Sequence, residues 1–141
     1  MNRLDLVLRV RSYTRDFSNV TFREGDITSY LNEGIDRVKQ IIPELRGMVK
    51  LRKSEDEVIL MPSMYHHLLA IYSTARCFEQ DERHYQAGKL MNEFETKLMK
   101  LNDDILGGEI VIFDPVTGLE IHRPYVEDYV VDNYFSRKGG I

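Results

Sequence analysis

Four histidines and one cysteine are the side chains of this 141-residue sequence best suited to metal binding or nucleophilic chemistry. His66 and His67 are adjacent, so on a helix they diverge by about 100° and do not chelate one ion together. Asp81-Glu82-Arg83-His84 sets a carboxylate three residues before an imidazole. That is half of the di-iron pattern of helical bundles, which needs a second copy and two more inward glutamates. The second copy is missing, so no metal ligands and no cofactor are expected. Cys77 has no basic neighbour at helical spacing except Arg76, which points elsewhere, so an activated thiolate is not expected. It reads instead as a small buried apolar residue in a reducing compartment, with no second cysteine for an internal disulfide. Asp103-Asp104 and Glu127-Asp128 are sequence neighbours on exposed stretches, solvated charge and not an acid/base pair. Gly107-Gly108 follows a helix, whereas phosphate-cradling glycines precede one. No catalytic residue is predicted, and the chain is expected not to be an enzyme.

The elements carrying these residues are mostly helical. The run from Pro62 to Leu106 holds no further proline and one glycine before its end, Gly88. In its second half Ala87, Met91, Phe94, Leu98, Leu101 and Ile105 recur at alternating steps of four and three, one stripe of a long helix. Ahead of it, Pro62-Ser63 opens a helix with Tyr65, Leu68, Leu69, Tyr72, Ala75 and Phe78 inward. The polar break at residues 79–82 divides the two, with Asp81 placed to cap the second, although one kinked helix would give nearly the same pattern. Residues 4–14 predict a first helix with Leu4, Val7, Leu8 and Val10 on its apolar face. Asp26 is the expected N-cap of a second, whose apolar face runs Ile27, Leu31, Ile35, Val38, Ile41, Ile42 and Leu45. Pro43 sits near its end, and Gly47 suits a left-handed closing residue.

After Gly107-Gly108 the period changes. Ile110-Val111-Ile112-Phe113 and Leu119-Glu120-Ile121 flank a loop holding Pro115 and Gly118, the pattern of a β-hairpin. The fold class expected is mainly α: a small bundle of about four helices with a C-terminal β-hairpin and extended tail. Its parts are a helical domain at 1–108, the hairpin at 109–123 and an arm at 124–141.

Composition narrows the function. The net charge of −4 argues against tight gripping of nucleic-acid phosphates. The longest apolar run near the start, Leu6-Val7-Leu8, is too short for a signal or membrane segment, so the chain is expected to start near Met1 and remain cytoplasmic until assembled. Four apolar helical faces, a two-faced strand and an aromatic tail leave more apolar surface than so short a chain hides alone. The hairpin and tail are therefore expected to meet neighbouring subunits, through Ile110, Ile112, Phe113, Leu119 and Ile121 and through Tyr125, Tyr129 and Tyr134. The competing arrangement folds the hairpin back onto the chain's own helices.

Leu8 through Asp16, Phe22 through Ile27 and Tyr30 through Arg37 resemble the head-to-tail adaptor (head-completion, connector) proteins of long-tailed bacteriophages. The resemblance continues through Tyr65 to Ala70, Arg76 to Arg83 and Asn92 to Leu98, covering residues 4 to about 115. It rests on helical-face patterns in a particular order, not on catalytic signatures. It implies a homo-oligomeric ring of about twelve copies between the portal protein and a stopper or tail-completion protein. Such a ring extends the DNA channel, with DNA passing through unbound and no membrane involved. It places the protein at the head–tail interface of the virion, and in the host cytoplasm during assembly. Removing residues 109–141 is expected to leave the helices folded and abolish the ring. A different class of function, a small helical regulator binding a host protein or DNA, would use the outward face of the second helix (Asn32, Glu33, Asp36, Arg37, Lys39), which is of mixed charge.

Overall fold

A computed structural model describes residues 1–16 and 21–122. Among them are four helices: α1 (Arg3–Thr14), α2 (Glu24–Ile41), α3 (His67–Gln80) and α4 (His84–Leu106). The chain is mainly α, as its periodicity predicts.

The helix α3 is the pillar, packed by each of the other three. It can be so because charge is absent from it until Arg76. Leu68, Leu69, Ala70, Ile71, Ala75 and Cys77 are buried around most of its circumference. Its two buried hydroxyls are satisfied: Ser73 donates to the Ile27 carbonyl of α2 at 3.1 Å, and Thr74 to the Ala70 carbonyl one turn back at 2.7 Å. Against it lies α4, whose Ala87, Phe94, Leu98 and Leu101 are buried, with Met91 and Ile105 packed on the same core. The seam is thus closed within one chain. Phe94 is its centre, fully buried and set edge-on to Tyr72 with ring centroids 5.1 Å apart.

In α1 the expected inward face is rotated. Leu4 and Leu8 are exposed, and the inward stripe is Arg3, Leu6, Val7, Val10 and Arg11. Those positions are i, i+3, i+4, i+7 and i+8, a regular helical stripe with an arginine at each end. Each guanidinium has hydrogen-bond partners. Arg3 donates to Thr28 Oγ1 at 2.8 Å and Ser54 Oγ at 2.9 Å, and Arg11 to the Phe22 carbonyl at 3.0 Å and Asp16 Oδ2 at 3.2 Å. Asn2 and Asp5 form a reciprocal capping box at the helix start.

Glu24 begins α2, so Asp26 lies in its first turn and is not the cap; its carboxylate still opposes the positive end of the helix dipole. The helix stops at Ile41. Pro43 forces Ile42 into an extended conformation, and Pro43–Leu45 form a single 3-10 turn. Gly47 is not left-handed, and a Cβ there would meet only Leu60 Cδ1, the end of a side chain that can shift. Close approach explains Gly34, where an added Cβ would meet Tyr72 at 3.3 Å. Gly34→Ala is expected to push Tyr72 off Phe94 and cost roughly 1–3 kcal/mol of stability, read from a urea midpoint.

The connector between α2 and α3 belongs to the core, through Met48, Leu51, Val58 and Met61. Asn32 clamps it, accepting from the Leu51 amide at 2.8 Å and donating to the Leu51 carbonyl at 3.0 Å. Residues 54–58 pair with the N-terminal residues through one antiparallel bridge, Asn2 with Glu57. Asp81 closes α3 and does not cap α4, which follows as a separate helix and not as the continuation of a kinked one.

Gly107 and the left-handed Gly108 end α4, as expected of that pair. Asp104 then draws in the turn by accepting at its carbonyl from the amides of Glu109 and Ile110. Where the sequence predicts two strands, the described residues hold a turn closed by one bridge, Phe113 with Glu120. Asp114 organises it, its carboxylate accepting from the Val116 amide at 2.7 Å while Gly118 takes the left-handed conformation.

Candidate interaction surfaces

The turn at residues 109–122 divides its apolar side chains between two faces. Ile112 is only 3% exposed, and Ile110 and Ile121 pack against the same helical core. These three therefore contribute to the chain's own fold. The opposite face carries Phe113, Val116 and Leu119, exposed to 57%, 90% and 69%. In the first segment alternation is the cause, 110 and 112 pointing one way and 111 and 113 the other; Leu119 and Ile121, also two apart, do not follow it. Tyr125, Tyr129 and Tyr134 lie outside the described residues. Ile112 also changes the expected outcome of truncation. Cutting at 109 would open the core beneath α4, whereas cutting after 122 leaves every described core residue in place.

A second surface was not legible in the sequence. Both α1 and α4 lean on α3 and leave between them a groove of about 710 Å³. Tyr13, Ile71, Phe78 and Leu90 give it an apolar lining, and Lys89 and Lys97 stand along the α4 side. His67 lies at one edge; burial, then the charge of Lys97, holds its imidazole below the ordinary histidine range. Single-sequence periodicity finds faces but not gaps between them, so nothing in the pattern marks the groove.

The polar face of α2 proposed for DNA or partner binding is engaged within the chain. Arg37 makes a two-pronged contact with Glu95 of α4, at 2.9 and 3.1 Å, and Arg76 of α3 donates to Glu33 at 3.2 Å. With Asn32 clamping the connector, three of the five residues on that face join α2 to other parts of the chain.

No group of three or more His, Cys, Asp or Glu among the described residues is gathered to hold a metal ion. Cys77 is buried, and burial pushes its thiol up to about 12, so it stays protonated at neutral pH. His66 is buried as well, with its Nε2 2.7 Å from the Met61 carbonyl. Burial keeps that imidazole below its ordinary pKa. The unfolded chain therefore takes up the proton first as pH falls, and stability is lost through about pH 6.5 and below. The acid-induced drop in urea midpoint between pH 7.5 and 5.5 is expected to be smaller in His66→Gln than in the unaltered protein; equal drops would exclude His66 as a source. Among the described residues no helix is long and apolar enough to cross a membrane.

Compared with family models, curated proteins and solved structures, the chain matches none.

Proposed function

We propose that the protein is a non-enzymatic virion component, a head-to-tail adaptor that assembles as a ring on the portal and continues the DNA channel toward the stopper or tail-completion protein. The observation that carries this reading is the division of apolar surface. The helical core is closed within one chain, while Phe113, Val116 and Leu119 are left together on one exposed turn immediately before the C-terminal segment. Exposed apolar residues concentrated on one small element suit contact with another chain. Where that turn meets a different surface of the next copy the contact is heterologous, and a heterologous contact closes into a ring when its rotation divides the circle. A lone bridge leaves unpaired backbone on the turn, which pairing with a neighbour's extended segment as a β-hairpin arm would satisfy. The net charge of −4 also suits a conduit that lets phosphate pass without holding it. Co-sedimentation of the full chain, and of residues 1–122, with its portal protein tests the reading. The full chain is expected to sediment with the portal and the shortened one to be lost; no binding by either would overturn the proposal.

A further inference from the structure

The groove between α1, α3 and α4 and the acidic aromatic segment near the C-terminus match in sign of charge, in length and in apolar character. We propose that residues 124–135 occupy this groove of their own protomer in the free protein.

Residues 124–135 lie outside the described residues; their sequence is Pro-Tyr-Val-Glu-Asp-Tyr-Val-Val-Asp-Asn-Tyr-Phe. Three acids (Glu127, Asp128, Asp132) and no base give the segment a charge of −3. Tyr125, Val126, Tyr129, Val130 and Tyr134 recur at helical spacing, while Val131 and Phe135 fall on the side of the acids. An amphipathic segment of this kind lays its apolar side in a groove and its charges along the rim. The groove offers Tyr13, Ile71, Phe78 and Leu90 to the first, and Lys89 and Lys97 to the second. Arg9 adds positive charge on the α1 side, close enough to His67 to disfavour its protonation. Glu93 also lines the groove, but it is paired with Lys97 at 3.4 Å, so the net sign there stays positive.

Length agrees. From Gln86 to Lys97 the groove runs about 17 Å along α4, and twelve residues at helical rise span about 18 Å. Reach agrees as well. The turn is tied to the end of α4 by the Ile110 amide on the Asp104 carbonyl, and Ile121 is packed on the core. Lys97, the near end of the groove, is about 10 Å along α4 from Asp104. With 124–135 helical, the three residues from Ile121 to Pro124 form the tether and cover up to about 10 Å when extended. A tether this short holds the segment at an effective concentration near millimolar, which favours the chain's own groove over a neighbour's while the protein is dilute. The inference concerns the free protein and does not depend on ring formation.

The test uses full-length protein carrying Glu93→Cys with Val131→Cys, treated with a short bismaleimide. Buried Cys77 does not compete for the reagent. The control pair is Met99→Cys with Val131→Cys; Met99 is exposed and projects from α4 well away from Glu93. Cross-links within one chain, located by mass spectrometry, are expected roughly tenfold more often in the groove pair than in the control. Adding Lys89→Glu and Lys97→Glu is expected to cut the yield about fivefold, and Glu127→Lys with Asp128→Lys to restore it. Equal yields in groove and control pairs, cross-links joining two chains in place of one, or no response to the charge exchange would each overturn the proposal. Portal binding is a separate assay, so the ring and the groove stand or fall independently.

Discussion

Phe94→Ala is expected to lower the free energy of unfolding by about 3–5 kcal/mol, the range for emptying the site of a fully buried aromatic. Phe94 lies where α4 crosses the pillar α3, and its ring meets Tyr72 edge-on, so truncation removes both the volume and that contact. A loss of this size is a large share of the 5–15 kcal/mol that holds a typical domain together. For a chain of this length it corresponds to a fall in Tm of roughly 10–15 °C, readable by circular dichroism. Because the ring is covered by its own chain, the shift is expected to be the same at low and high protein concentration. A fall of less than about 1 kcal/mol, or one that vanishes on concentrating the sample, would mean that the seam of α4 is covered by other copies after all.

Phe113→Asp combined with Leu119→Asp is expected to do the reverse: to leave the Tm within a degree or two and abolish assembly on the portal. Both side chains are more than half exposed in the protomer, so charging them costs the fold little. In a closed interface each introduced carboxylate would lose water without gaining a partner, a cost of several kcal/mol repeated at every subunit contact. Ile112→Asp separates the two effects from a residue one position away. It places a charge in the core and is expected to unfold the turn and destabilise α4, a loss visible before any partner is added.

The comparison of these neighbours explains what was legible in the sequence. The α4 stripe could be read because its burial is purely apolar and its spacing regular. The same holds for the stop at Gly107-Gly108. In α1 the inward stripe begins and ends with arginine, which pattern reading assigns to solvent; only partners distant in sequence (Thr28, Ser54, Phe22) reveal that Arg3 and Arg11 face inward. Asp26 and Asp81 are good capping residues by type, but the helices they were expected to start begin two residues before one and three after the other. Gly34 answers close approach by Tyr72, a contact that no local pattern encodes. For the turn, apolar content was legible and direction was not. Five apolar residues were expected to face other subunits; three of them, Ile110, Ile112 and Ile121, contribute to the protomer's own core. The groove was invisible for a related reason, being a space between α1 and α4 set by how each leans on α3.

Particle images of the full-length protein mixed with its portal test the central claim most directly, with Phe113→Asp/Leu119→Asp imaged alongside. The account predicts a closed ring of identical copies stacked on the portal axis for the unaltered protein, and bare portals for the variant. Portals left bare by the unaltered protein, or decorated equally by both, would contradict it.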